Sequence, residues 1–105
     1  MSISFKQWLK EQCKNRIISD YDISLLDLLV LNDGLELSVQ CSSKHYCYPK
    51  KTLKSGDYES VEVYTSDFLP ELVPYNDGYG ICANVPVEVM ELLVNKHGGV
   101  KVVEN

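Results

Sequence analysis

A chain of 105 residues, 45% hydrophobic and 10% aromatic, carries enough apolar material for one core and leaves no room for a second, which argues against both disorder and a multidomain layout. No apolar run approaches the ~20 residues of a membrane span. The opening Met-Ser-Ile-Ser-Phe-Lys-Gln-Trp also lacks the basic, apolar and small-residue order of an export signal, so a soluble cytoplasmic protein is expected. The formal charge of −5 is unevenly spread: residues 1–54 hold eight Lys/Arg against six Asp/Glu, residues 55–105 hold two against nine, and no basic residue interrupts Ser55 to Asn95. If folding gathers those acids on one face, they repel nucleic acid and attract basic surfaces.

In chain order, Ser4 opens a capping box with Gln7 at N3, and Ile3 and Trp8 stand at the staple positions. Phe5, Trp8, Leu9 and Cys13 keep helical spacing with Lys6, Lys10 and Lys14 on the opposite row, which predicts a helix over Phe5–Arg16. Asp20 to Gly34 reads two ways. It is either a short leucine-rich helix capped by Asp22, which composition favours, or a hairpin in which Asn32-Asp33-Gly34 turns Leu28–Leu31 onto Leu35–Val39.

From Leu35 the alternation is clean: Leu35, Leu37, Val39 and Cys41 on one face, Glu36, Ser38, Gln40 and Ser42 on the other. Pro49 to Asp57 reads as an exposed basic loop, and Tyr58–Thr65 as a partner strand turning Val61, Val63 and Thr65 to the core. Pro70 and Pro74 rule out a long regular element there. Asn76–Gly80 is a turn and Ile81–Val85 a third strand. Pro86 at the first position starts a helix that Lys96-His97 end before Gly98-Gly99, and Val100–Val103 adds a short edge strand. The expected fold is α+β: one domain over residues 1–105, its helical part about 1–33, with a small antiparallel sheet of three to four strands packed against an N-terminal and a C-terminal helix.

Three kinds of chemistry deserve weighing. Cys41, His45, Cys47 and Cys82, with Cys13 or His97 in reserve, could supply metal or thiol chemistry, but no Cys-x2-Cys knuckle aims two thiolates at one point. Without an export signal the four cysteines read better as buried thiols. Cys47 and His45 would share a strand face as a nucleophile and its base, yet no nucleophile motif surrounds them. Lys44, Lys50, Lys51 and Lys54 beside Tyr46 and Tyr48 resemble a nucleic-acid patch, against the acidity of the whole chain. No catalytic residue, metal or cofactor is implied. The seven tyrosines point instead to a protein interface, where apolar area with a polar tip is enriched, or to cross-strand packing.

The combination Gly34-Leu-x-Leu-Ser-Val-Gln, His45-Tyr-Cys-x-Pro49, Val61-Glu-Val63 and Val85-Pro-Val-Glu-Val-x-x-Leu-Leu-x-x-x-His97-Gly-Gly resembles small uncharacterised proteins of bacteriophages and prophages. The likeness spans Gly34 to Gly99. In that family an arginine commonly follows the proline, where Lys50 here keeps the charge and loses the bidentate fork. The resemblance implies a bacterial host cytoplasm and a non-enzymatic accessory role in which a host or phage protein is bound. One such role is inhibition of a nucleic-acid-binding defence complex in the manner of anti-CRISPR proteins. The expected partner surface is the acidic, tyrosine-bearing strand: Tyr58, Glu59, Glu62, Tyr64 and Asp67, with His45, Tyr46 and Tyr48 at its rim.

Overall fold

The computed structural model describes residues 2–16 and 25–102. Helix α1 spans Phe5–Asn15, where Ser4 caps it by accepting from the Gln7 N–H at 3.1 Å. No acid stands in its own first turn, and the charge that suits a helix N-terminus arrives from elsewhere: Glu91 accepts from the Lys6 N–H at 2.6 Å. Phe5, Trp8, Leu9 and Cys13 are buried, as their spacing predicts.

Between α1 and the sheet the hairpin reading holds, against the helix that composition favours. Strand β2, Leu29–Val30, pairs antiparallel with β3, Glu36–Gln40, in the register Leu29 opposite Leu37. Leu29 and Leu31 are buried while Leu25 and Leu28 are exposed, so one face only of this segment meets the core. Gln40 holds the approach to β2 in place of a backbone neighbour, accepting from the Leu26 N–H at 2.8 Å and donating to its carbonyl at 3.3 Å. The Asp22 cap lies outside the described residues.

Strands β4, Ser60–Tyr64, and β5, Ile81–Pro86, complete an antiparallel meander in the order β2-β3-β4-β5. The irregular step between Val61 and Val63 is absorbed in β5 at Ala83-Asn84, where Asn84 takes φ 52°, a left-handed value that asparagine tolerates. A short 3₁₀ helix, Pro70–Tyr75, is all the two prolines allow. Pro86 is the N-cap of helix α2, Val87–Lys96, one position earlier than expected, because it still closes β5 against Ser60. Strand β6, Val100–Lys101, pairs with β1, Ser2–Ile3, in a two-stranded sheet and touches the main sheet only through a single bridge between Val100 and Leu31.

Val39, Val61, Val63, Val85 and Leu37 on one sheet face form one core with Phe5, Leu9, Met90, Leu93 and Val94 of the helices. This is the α+β architecture expected from the sequence. The expected divide near residue 33 leaves no mark in it, since β2 belongs to the sheet. Thr65 is half-buried and finishes its strand by donating to the Glu36 carbonyl at 3.3 Å, so it does not pack into the core.

One loop is locked by contact. A Cβ on Gly56 would lie 2.9 Å from the Cα of Lys10, and Gly56 has φ +75°; Gly78 has φ +90° with nothing within 4 Å. Gly78→Ala should therefore cost about 1 kcal/mol of backbone strain. Gly56→Ala should cost a further ~1–3 kcal/mol from overpacking against α1. Urea midpoints of the two variants measure the difference, and equal midpoints would refute the contact.

Candidate functional site: an aromatic and acidic stripe on the open sheet face

Ser60, Glu62 and Tyr64 alternate with the buried valines of β4 and so turn to the face that the helices leave uncovered. The segment carrying His45, Tyr46 and Tyr48 lies along this face. Tyr48 donates its N–H to the Ser60 carbonyl at 3.3 Å and accepts the Glu59 N–H at 2.8 Å; the Tyr46 N–H donates to Glu62 Oε2 at 2.8 Å, and the Tyr46 carbonyl accepts from Asn84 at 3.0 Å. Tyr46 and Tyr48 stay exposed, with the Lys50 ammonium 5.3 Å from the Tyr46 ring centre.

At the other end of β4, Tyr64 lies over Gly80: a Cβ there would sit 3.4 Å from the ring edge. Phe68 and Tyr79 are among the most exposed large side chains, at 80% and 91%. Phe68 and Gly80 line the same cleft of about 260 Å³, floored by Leu72 and Cys82. Asp67 is exposed beside it, while Asp77 holds the turn by accepting from the N–H groups of Tyr79 at 2.7 Å and Ile81 at 3.2 Å. Glu62 meets the Tyr46 segment through its bond to the Tyr46 N–H, Tyr64 and Asp67 lie toward the other end of β4, and His45 sits half-buried. Phe68 was missed by sequence reading, since a lone phenylalanine before Leu-Pro carries no pattern that distinguishes surface from core.

Tyr58 and Glu59 leave this face. Glu59 lines a separate cleft of about 580 Å³ with Lys6, Lys10 and Val87, where lysines offset its charge. Tyr58 is only 6% exposed. Its hydroxyl accepts from the Leu53 N–H at 2.8 Å and donates to the Lys51 carbonyl at 2.6 Å, and burial pushes its pKa up to about 12.

Tyr58 instead belongs to a buried polar node. Arg16, the C-cap of α1 and itself buried, donates from Nη1 to the Cys41 carbonyl at 2.6 Å. Its Nη2 lies 2.8 Å from Cys13 Sγ, 3.5 Å from Cys41 Sγ and 3.4 Å from the Tyr58 hydroxyl. A hydrogen bond from Cys41 and the adjacent guanidinium hold the Cys13 thiol below its ordinary value, whereas the same bond and burial push Cys41 up.

The remaining candidate chemistry is dispersed. The thiol of Cys47 donates to the Ser42 carbonyl at 3.3 Å, not to His45, and burial raises its pKa, the reverse of what a nucleophile needs. His45 pairs through Nδ1 with the Ser42 hydroxyl at 2.6 Å, and burial lowers its pKa. Ser42, expected on the open face, is buried by this pairing and by accepting the Lys44 N–H at 3.0 Å. Cys82 lies under the 3₁₀ helix, 3.8 Å from the Leu72 carbonyl. Among the described residues no three His, Cys, Asp or Glu side chains converge as a metal site would require. On the far edge His97 Nδ1 pairs with Asp33, and Lys96 with Glu71 at 2.8 Å.

Comparison with known proteins finds no matching family model, no matching curated protein and no matching solved structure. No helix among the described residues is long and apolar enough to cross a membrane.

Two measurements check the polar contacts. Tyr58→Phe strands the Leu53 N–H and the Lys51 carbonyl and should cost about 1–3 kcal/mol, whereas Tyr64→Phe at the surface should stay within about 0.5 kcal/mol of the parent; urea unfolding distinguishes them. The Asp33 carboxyl is held below its ordinary value by His97 and by the Leu35 N–H. A depressed carboxylate contributes stability above the unfolded-state pKa, about 4, and loses it as pH falls through the folded-state value. Asp33→Asn should accordingly flatten the acid side of the Tm–pH curve; an unchanged acid limb would refute the linkage.

Proposed function

We propose that this protein is a non-enzymatic binding protein that engages a basic protein surface through the stripe of Tyr46, Glu62, Tyr64, Asp67, Phe68 and Tyr79. The observation that carries the reading is the pair Phe68 and Tyr79, 80% and 91% exposed beside Tyr64. Exposed aromatic side chains grouped together with polar groups around them are what protein interfaces use as anchors. The surrounding charge selects the class of partner. Ser55 to Asn95 contains no basic residue, and Glu62 and Asp67 stand within the stripe, so an arginine- or lysine-rich surface is drawn in and a phosphate backbone is repelled.

The resemblance to phage and prophage proteins supports a bacterial cell as the setting and a host or phage protein as the partner. In that setting a basic groove that normally holds nucleic acid has the complementary charge, which makes inhibition of a host defence complex the specific form of the proposal. The stripe spares other acids for structure: Glu91 caps α1 and Glu71 pairs with Lys96.

Affinity capture from a bacterial host lysate tests the face. Phe68→Ala/Asp67→Lys should lower recovery of the captured protein at least about tenfold, the loss of one hot-spot anchor, and recovery by the parent should fall with added salt. Glu59→Lys, on the separate cleft, should recover the partner as the parent does. Equal recovery by Phe68→Ala/Asp67→Lys would remove this face from the proposal.

A further inference from the structure

The Cys13–Arg16–Cys41 node plays no part in the proposed docking stripe, and its parts are those of a reactive thiol pair. Cys13 is on α1 and Cys41 just past β3, yet the two sulfurs converge on one guanidinium nitrogen, at 2.8 and 3.5 Å. A buried arginine donating into two sulfurs favours a thiolate over a thiol, because the anion is the only charge available to offset it among these groups. The other facing groups, the Tyr58 hydroxyl and the Cys41 carbonyl, are neutral acceptors already bonded to Arg16.

We infer that Cys13 and Cys41 form a peroxide-oxidisable dithiol, with Cys13 the attacking thiolate, Cys41 the resolving thiol and Arg16 the positioning residue. The Cys13 thiolate attacks one oxygen of a hydroperoxide, the O–O bond breaks, hydroxide leaves, and a sulfenic acid forms on Cys13. The Cys41 sulfur then displaces that oxygen: the S–S bond forms, the S–O bond breaks, and the thiol proton leaves with the oxygen as water. Both sulfurs are oxidised by one electron pair in total, and the peroxide is reduced by the same pair. Of the node, Arg16 lines a cleft of about 170 Å³ at the end of α1 with Gln12 and Leu26, and the two cysteines are at most 1% exposed, which disfavours bulky thiol reagents more than a small hydroperoxide. Cys47 and Cys82 have neither a cationic neighbour within hydrogen-bond reach nor a second sulfur bonded to them, and burial raises the pKa of both.

The test uses the full folded chain and a Cys47→Ser/Cys82→Ser variant that retains only the pair. After treatment with hydrogen peroxide without denaturant, intact mass should fall by two hydrogens. Tryptic digestion without reduction should yield the Glu11–Lys14 peptide joined to Ile17–Lys44, and dithiothreitol should separate them. Arg16→Lys, which keeps the charge and loses the fork, should slow the reaction less than Arg16→Gln. The latter should slow it about tenfold and shift its pH profile toward alkali, a change that a merely structural arginine would not produce. The inference is overturned if the two peptides stay separate and alkylatable in both proteins, if oxidation stops at a sulfenic or sulfinic acid on one cysteine, or if the Arg16 variants leave the pH profile unmoved.

Discussion

A guanidinium taken out of water has to find acceptors, and those of Arg16 come from stretches of chain far apart in sequence. The Cys41 carbonyl closes the end of β3, the Tyr58 hydroxyl reaches over from the long loop before β4, and Cys13 is one turn back on α1. Removing any one of these takes an acceptor from a buried guanidinium, at a typical cost of about 1–3 kcal/mol. The otherwise irregular segment 41–59 is tied to α1 by this requirement and to the sheet by its main-chain bonds. Its apolar content is small, but Tyr58 also takes the Leu53 N–H and gives its proton to the Lys51 carbonyl, so a single phenol organises nearly the whole crossing.

With that loop held, the two faces of the sheet diverge in kind. The inner face is a packed layer of valine and leucine under two helices. The outer face has no helix over it, and the chain covers its Ser60–Glu62 part with the Tyr46–Tyr48 segment through main-chain bonds. Beyond Glu62 the covering stops, and Tyr64 settles over Gly80, where an added Cβ would lie 3.4 Å from the ring edge. The aromatic side chains of the proposed docking stripe thus occur where backbone cover ends and glycine leaves a flat floor.

Much of the fold was legible because local signals agreed. The Ser4 cap, the alternation from Leu35, the two valines of β4 and the glycine pair after His97 each rest on a period or cap that operates within a few residues. The hairpin at Leu29 was less legible because five leucines in the ten residues Asp22–Leu31 satisfy either period, and the segment is tied down by Gln40, a side chain distant in sequence that supplies β2's approach with backbone-like bonds. The site was legible in part. Glu62 and Tyr64 share a face by strand alternation, Asp67 lies past the end of the strand where no alternation applies, and Tyr58 leaves the face: two residues before the strand, its hydroxyl meets Arg16, 42 residues away. The sulfur pair carries no sequence signature at all, since 27 intervening residues separate cysteines that only tertiary folding unites.

The bond from the Lys6 N–H to Glu91 has a bearing on how the molecule reaches this state. It joins positions 85 apart, and it supplies the anionic end group that α1 lacks in its own first turn. A helix of 11 residues is marginal alone in water. The first helix to be made is thus among the last to become secure, since it waits for the chain to extend through the second. Contacts of such long range raise contact order, and folding is expected to proceed from the meander outward, with α1 docking as a late step.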